Sequence, residues 1–196
     1  LEVLRQPLED GAVTIARAAT SVTFPARFML VAAMNPCPCG YHGDPQHECM
    51  CSPSAIRKYR SRVSGPLLDR FDLHVAVPAV RYREMAEGEG DEASAPIRDR
   101  VVRARERQTE RYAGRPFHCN AHMSSAAVRR YAAPSEEARG LLEHAMDRLG
   151  LSARAYTRSL KVARTIADLE GTAEVGRSHV LEALQFRRMG LGVRGE

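Results

Sequence analysis

Apolar and polar positions follow two different patterns along the chain. Residues 28–34 form an unbroken apolar run, which is typical of a strand buried on both faces of a parallel sheet. Residues 73–77 alternate and predict a second strand, and residues 13–18 and 22–24 have the composition of a short hairpin. Ser52 followed by proline predicts the start of a short helix. The first part of the chain is therefore predicted to be α/β, with parallel strands and helices.

The second part of the chain has helical spacing throughout. Five helices are predicted, at residues 97–113, 124–132, 135–149, 152–170 and 177–188. Residues 81–96, between the two parts, are acidic and rich in small residues and show no periodicity, as expected of a linker. We therefore expect three regions: an α/β domain at 1–80, a linker at 81–96 and an all-α helical bundle at 97–196.

Composition narrows the class of protein. The 196 residues are 44% hydrophobic and 27% charged, which is typical of a globular chain with a packed core. No apolar run approaches the roughly 20 residues that span a bilayer, and no signal segment opens the chain, so we expect a cytoplasmic protein without membrane contact. The chain begins with Leu1 in a segment typical of a helix already begun, which predicts a fragment of a longer protein.

The charge distribution is uneven. Lys and Arg number 29 against 24 Asp and Glu, and the formal net charge is +5. Basic residues concentrate at positions 57–62 and 98–115. Such clusters are typical either of a phosphate-binding surface or of a solvated helix face. Composition alone leaves both interpretations open.

Four cysteines lie close together in the chain. Two short pairs, Cys37 with Cys39 and Cys49 with Cys51, flank a turn-rich loop. Paired cysteines in a cytosolic protein are typical of metal ligation or redox chemistry, and two such pairs can direct four thiolates at one tetrahedral Zn²⁺. His42 and His47 in the same loop are possible substitute ligands, and four reduced thiols on a mobile loop are the alternative.

Three sequence motifs resemble a known family. The first is Met34-Asn35-Pro36 at the end of the apolar run, and the second is the stretch Gly65–His74, which reads GPLLDRFDLH. The third is Ser152-Ala-Arg154 at the start of a helix. Together they resemble AAA+ ATPases of the magnesium-chelatase-like group, near the MCM helicases. The cysteine pairs and the stretch Leu160–Leu169 resemble the ComM/YifB family more closely. This resemblance implies a partial AAA+ core followed by a helical lid domain.

The resemblance also implies roles for three polar residues. Asn35 matches sensor 1, Arg70 matches the arginine finger that acts on a neighbouring subunit, and Arg154 matches the nucleotide-contacting sensor 2 of the lid. Each has an ordinary structural alternative. Asn35 is also a typical turn residue, Arg70 has Asp69 and Asp72 as neighbouring ion-pair partners, and Arg154 can simply face solvent.

The chain contains no GxxxxGK[ST] phosphate loop and no apolar strand that ends in paired acidic residues. The resemblance implies that ATP and Mg²⁺ bind mainly through a missing N-terminal half, so the fragment alone is expected to be inactive. For the whole protein it implies a homo-hexameric motor that acts on single-stranded or branched DNA, by helicase or branch-migration activity in natural transformation and recombination. The alternatives are a chelatase-like ATPase that remodels a protein partner and a zinc-stabilised, non-enzymatic DNA-binding module.

Overall fold

The computed structural model describes residues 1–18, 20–78 and 92–187. These residues form two compact units. Unit one comprises residues 1–71 with 77–78, and unit two comprises residues 72–76 and 92–187. The boundaries expected at residues 80 and 96 stay a prediction. None of the helices in the described ranges combines the length and apolar character needed to cross a membrane.

Unit one opens with a helix and a hairpin. A 3₁₀ turn at Glu2–Leu4 leads into α1 (Arg5–Asp10), and the antiparallel strands β1 (Ala12–Arg17) and β2 (Thr20–Pro25) follow. Gly11 ends α1 at φ 63°, where a Cβ atom would lie 2.8 Å from Cγ of Arg27. The hairpin predicted from the sequence is confirmed.

Two short capped helices complete unit one. They are α2 (Pro53–Arg60) and α3 (Gly65–Leu68). The Ser52 hydroxyl accepts a hydrogen bond from the amide of Ala55 at 3.2 Å, and the Ser64 hydroxyl accepts one from the amide of Leu67 at 3.2 Å. A serine cap followed by proline in the first turn satisfies free amides and presets the backbone, so local sequence suffices to start each helix.

The parallel strands predicted at residues 28–34 and 73–77 are not formed. Neither segment has regular secondary structure, although both lie within the described residues. Met29 and Val31 are 89% and 83% exposed, and Val77 is 85% exposed. A parallel strand obtains its hydrogen bonds from neighbouring strands, and the sheet in the described part of the chain consists of β1 and β2, which pair with each other. The prediction was wrong because it identified apolar segments suited to a sheet without the strands that pair with them.

Unit two is helical, as predicted. Its helices are α4 (Ser94–Arg111), α5 (Ser125–Tyr131), α6 (Glu136–Leu149), α7 (Ala153–Glu170) and α8 (Arg177–Gln185), with a 3₁₀ turn at Asn120–His122. Each begins or ends within a few residues of its predicted position. Because α4 starts at Ser94, residues 94–96 of the predicted linker belong to a helix. Most of the rest of the predicted linker lies outside the described ranges, as does the end of the last predicted helix.

Helix α7 is the centre of the unit-two core. Its apolar face buries Leu160, Ala163 and Ile166 against side chains of the other helices, among them Leu142 of α6 and Val180 of α8. Left-handed glycines end α6 and α7, at Gly150 and Gly171. Burial of this face stabilises unit two. Helices as short as α5 and α8 are marginal on their own and depend on such packing.

A buried ionic cluster joins α7 to α4 and to the 3₁₀ turn. The Asp168 carboxylate is 0% exposed. It accepts hydrogen bonds from Nη1 of Arg111 at 2.9 Å, from Nε of Arg164 at 3.2 Å and from Nδ2 of Asn120 at 2.8 Å. Burial alone raises the pKa of Asp168, but the bonds from Arg111 and Asn120 outweigh it and lower the pKa below its usual value. Arg164 also donates to the carbonyls of Thr172 and Ala173.

Replacing Asp168 with asparagine should strongly destabilise the helical unit. The Asp168→Asn variant leaves the buried Arg164 guanidinium without its counter-charge, and breaking such a pair costs about 3–5 kcal/mol. Urea denaturation of the chain near neutral pH measures the loss. Because the folded-state pKa of Asp168 is lowered, its contribution is present above the unfolded value of about 3.9 and is lost as the pH falls through the folded value.

The matched control is Asp147→Asn, which replaces an exposed carboxylate on α6. This change should alter the free energy of unfolding by no more than about 0.5 kcal/mol. Equal stabilities of the two variants at neutral pH would contradict a structural role for the Asp168 cluster. Wild type and Asp168→Asn should converge in stability on acidification.

Candidate functional site

The four clustered cysteines converge on one point in unit one. Their sulfur atoms all lie within 4.8 Å of one another. Sγ of Cys37 is 3.3 Å from Sγ of Cys39 and 3.7 Å from Sγ of Cys49, and Cys39 is 3.6 Å from Cys49. A disulfide requires about 2.05 Å, so these contacts are not bonded pairs. Four thiolates at the zinc–sulfur distance of about 2.3 Å in a tetrahedron lie about 3.8 Å apart, so the cluster is compatible with Zn²⁺.

The loop between the pairs is built to bring them together. Gly40 and Gly43 adopt φ values of 90° and 85°, which allow two sharp turns, and the Gly40 amide donates to the Cys37 carbonyl at 3.1 Å. The Asp44 carboxylate accepts hydrogen bonds from the amides of Gln46 and His47, at 2.7 and 2.9 Å. The cysteine loop therefore has its own hydrogen bonds, in contrast to the mobile loop of the alternative interpretation.

Helix α2 is attached to this loop at both ends. Its cap residue Ser52 directly follows Cys51, and Nε of Arg60 in its last turn donates to the carbonyl of Pro36 at 3.1 Å, next to Cys37. The position of α2 therefore depends on the cysteine cluster. Among the described residues, the group able to hold a metal consists of the four cysteines, without His42 or His47.

The four thiols of the cluster differ in pKa. The backbone amide of Tyr41, with help from the Cys37 thiol, lowers the pKa of Cys39 to about 6. The backbone amide of Cys51 favours the Cys49 thiolate, yet burial and the neighbouring thiols Cys39 and Cys37 outweigh it and raise the pKa of Cys49 to about 12. Adjacent thiolates repel one another, so full deprotonation requires a cation among them. That donor chemistry fits a divalent, thiolate-binding ion such as zinc.

Asn35 lies directly before the cysteine loop. Its side chain is exposed, and its amide nitrogen would lie 3.9 Å from a Cβ atom built at Gly40. The position follows from the chain, because Pro36 and Cys37 come next and Cys37 is fully buried in the cluster. Asn35 is therefore held beside a structured loop.

Arg70 is held within unit one. Its side chain is 14% exposed, and its Nε lies 3.0 Å from Oε2 of Glu9. Nε also donates to the carbonyl of Arg5 at 3.1 Å, and Nη1 donates to the carbonyl of Pro66 at 2.6 Å. The ion-pair partner is thus Glu9, far away in the sequence, and not the neighbours Asp69 or Asp72 considered from the sequence. None of these contacts joins Arg70 to Asn35.

Arg154 lies in unit two, in the first turn of α7. Its side chain is exposed, and Ser152 caps the helix by accepting a hydrogen bond from the Ala155 amide at 3.1 Å. The helix start predicted at residue 152 is confirmed. Arg154 is therefore carried by the helix at the centre of the unit-two core, with its side chain on the surface.

Several arginines of the second basic cluster already have partners within the chain. Arg100 makes a two-pronged contact with Glu92, Arg107 donates to the carbonyl of Asp168 at 2.9 Å, and Arg111 pairs with the Asp168 carboxylate. These three arginines stabilise unit two, so the basic stretch 98–115 is not a uniform phosphate-binding surface. In the first cluster Arg57, Lys58 and Arg62 are exposed.

Sequence reasoning missed the partners of the key arginines. The Arg70–Glu9 and Arg111–Asp168 pairs join residues far apart in the chain, which no local spacing reveals. One signal was present for Arg164, which stands one helical turn before Asp168 on α7. An arginine and an aspartate at that spacing on the buried side of a helix predict an ion pair.

Two family models match the chain in tandem. The model described as magnesium chelatase, subunit ChlI, matches residues 1–85, and the model for the C-terminal part of the same subunit matches residues 91–187. The two models together match nearly the whole chain, so the resemblance to the magnesium-chelatase-like group that the sequence motifs predicted is confirmed.

The chain is also similar to individual bacterial proteins. The chain is 45% identical to competence protein ComM of Haemophilus influenzae over 190 residues, which is 96% of the chain and 36% of that protein. It is 43% identical to an uncharacterised protein of Mycobacterium tuberculosis, over 97% of the chain and 37% of that protein. It is 39% identical to the uncharacterised protein YifB of Escherichia coli, over 95% of the chain and 36% of that protein. The chain thus spans little more than a third of the length of these relatives.

Elemental analysis should find about one zinc ion per chain after chelator-free purification, because four thiolates complete a tetrahedral site. Cys39→Ser and Cys51→Ser should each lose the bound zinc, since either change removes one of the four ligands. Cys119→Ser is the matched control, because Cys119 lies outside the cluster and its replacement should leave the zinc content unchanged. Wild-type protein in which all five thiols are titratable and only traces of zinc are found would defeat the site.

Proposed function

We propose that this chain is part of an AAA+ ATPase of the ComM/YifB type, a hexameric, ATP- and Mg²⁺-dependent motor acting on single-stranded or branched DNA. The observation that carries the proposal is the 45% identity to a competence protein over nearly the whole chain, together with the tandem family match. The activity proposed is helicase or branch migration during recombination of incoming DNA. It belongs to the whole protein, since the chain corresponds to 36% of that relative.

Asn35 is proposed as the sensor 1 residue. A carboxamide both donates and accepts hydrogen bonds, so it can orient a water molecule towards a γ-phosphate. Its exposed position beside the ordered cysteine loop supports this role, because Cys37, two residues further on, is buried and limits movement of the backbone.

Arg70 is proposed as the arginine finger. Its planar, permanently charged guanidinium can stabilise the charge that develops on a phosphoryl group bound by a neighbouring subunit. Glu9 neutralises Arg70 within its own unit in this structure. Exchange of the Glu9 carboxylate for the phosphate of a neighbour would therefore favour action in trans, and the part-exposed Glu9 side chain allows that exchange.

Arg154 is proposed as sensor 2. The first turn of a helix has a positive end of the backbone dipole, so a cation there gains nothing from the helix itself. An anion placed at the same turn is attracted both by the positive end of the helix dipole and by the cation. The exposed position of Arg154 in the first turn of α7 supports nucleotide phosphate as that anion.

Helix α2 is proposed to contact DNA phosphates. Its exposed residues Arg57 and Lys58, with Arg62 just beyond its end, form a basic surface on a helix anchored to the cysteine loop. This surface also favours a second candidate, a zinc-stabilised DNA-binding module without enzymatic activity. The magnesium chelatase match favours a third, an ATPase that remodels a protein partner.

ATP hydrolysis by the full-length protein tests the proposal. DNA should stimulate hydrolysis, and Arg70→Ala should reduce kcat by about 10³-fold or more while ATP binding is kept, because an arginine finger acts in the transition state. Glu9→Gln is the matched control, since it breaks the same ion pair but retains the guanidinium, and it should keep the activity.

DNA-independent hydrolysis that a protein partner stimulates would favour the remodelling candidate. DNA binding without any hydrolysis would favour the non-enzymatic module. Loss of activity in Glu9→Gln equal to that in Arg70→Ala would assign Arg70 to the stability of unit one.

The α2 surface makes a separate prediction about salt. Replacing Arg57, Lys58 and Arg62 with alanine should weaken DNA binding and reduce the slope of log K against log salt by about 0.7–0.9 for each phosphate that the protein no longer neutralises. Fluorescence anisotropy between low and physiological salt measures the slope. The control replaces Arg139, Arg148 and Arg177 of unit two, which removes the same charge elsewhere. An equal decrease of the slope in both variants would contradict a localised contact.

A further inference from the structure

The chain just after Arg70 is held by the helical unit. Asp72 follows Arg70 by two residues and belongs to unit two. Its Oδ1 accepts a hydrogen bond from Nη1 of Arg158 on α7 at 2.5 Å. Two residues further on, the amide of His74 donates to the carbonyl of Phe186, next to α8, at 2.9 Å. One ion pair and one backbone hydrogen bond therefore hold residues 72–74 to the helices.

Arg158 stands one helical turn after Arg154. Residues at this spacing lie on the same face of a helix, one above the other. The Arg158 side chain is 16% exposed, so solvent screens its contact with Asp72 only partly, although Asp72 itself is 49% exposed. The proposed sensor 2 residue and the anchor of the Arg70 segment thus share one surface of α7.

We propose that Arg158 and Asp72 are positioning residues that couple the movement of α7 to Arg70. A shift of α7 that follows nucleotide contact at Arg154 would carry Arg158 with it and, through Asp72, displace the chain at Arg70. The inference rests on the proposed ATPase function, because it requires Arg70 and Arg154 to act on nucleotide.

Two physical features make the transmission effective. Ala155 and Leu160 are buried in the first two turns of α7 and limit local deformation there, so these two turns move together. Only Phe71 separates Asp72 from Arg70, and two residues span at most about 7 Å of chain, which leaves little slack. Coupling of this kind is reciprocal for binding, so the state of Arg70 also influences nucleotide contact at Arg154.

A mutant cycle in the full-length protein tests the coupling. Asp72→Asn and Arg158→Met each remove one charge with little change in shape. Each should lower kcat for ATP hydrolysis by about tenfold, with KM changed by less than about twofold, since pairs in contact couple by up to a few kcal/mol. The double variant should be no worse than either single one, and the charge exchange Asp72→Arg with Arg158→Asp should recover part of kcat.

The matched control is Arg177→Met, which breaks the exposed Arg177–Glu137 pair in the same unit and should leave kcat unchanged. Thermal melting of each variant separates coupling from folding. Equal kcat in wild type and Asp72→Asn, or a decrease of kcat accounted for by unfolded protein, overturns the inference and leaves the proposed function standing. A wild-type protein that does not hydrolyse ATP overturns both.

Discussion

The Asp168 carboxylate, buried between two guanidinium groups, is the contact on which unit two depends. It holds Arg111 of α4, Asn120 of the 3₁₀ turn and Arg164 of α7, so one carboxylate fixes three segments distant in sequence. A buried charge is costly unless it is paired and hydrogen-bonded, and this cluster satisfies the carboxylate from several sides. Arg164 extends the cluster to the carbonyls that follow α7, where the chain turns at Gly171. A Cβ atom at Gly171 would lie 2.8 Å from the Arg107 guanidinium, so the absent side chain makes room for that arginine to reach the Asp168 carbonyl. The contacts of the Asp168 cluster fix which face of α7 is buried, and they thereby keep Arg154 on the surface.

Unit one is held together by a different balance of forces. Its described residues bury few apolar side chains, chiefly Pro7, Cys37 and Leu67. Polar contacts take the place of a core, among them the bonds of Arg70 to Glu9 and of Arg60 to the Pro36 carbonyl. A small domain with so little apolar burial depends on cross-links, metals or further chain for its stability. The thiol cluster is the one feature of the described part of unit one that a single ion could convert into a strong organising centre, and α2 is attached to it directly.

The features predicted from the sequence are those with local causes. Ser52 and Ser152 mark helix starts through contacts within three residues, and they lie where the sequence placed them. The cysteine cluster was predictable because both pairs lie on one short loop. The strands expected at 28–34 and 73–77 failed because a parallel ladder needs partners outside the segment. The partners of Arg70 and Arg111 were equally out of reach, since ion pairs between distant residues follow from the completed fold. The roles of Asn35, Arg70 and Arg154 in catalysis remain predictions from the resemblance.

Arg70 illustrates how one contact can serve stability and oppose function. A guanidinium whose charge is balanced by Glu9 stabilises a phosphate on a neighbouring subunit less, because the two anions compete for the same positive charge. Under the proposed function, ring assembly and release of Arg70 from Glu9 are therefore linked equilibria, in which each favours the other. Glu9 is part-exposed, so solvent screens its ion pair and lowers the cost of exchanging one anion for the other. The carboxylate that stabilises the isolated unit would then also prevent Arg70 from remaining exposed and unpaired before a neighbour arrives.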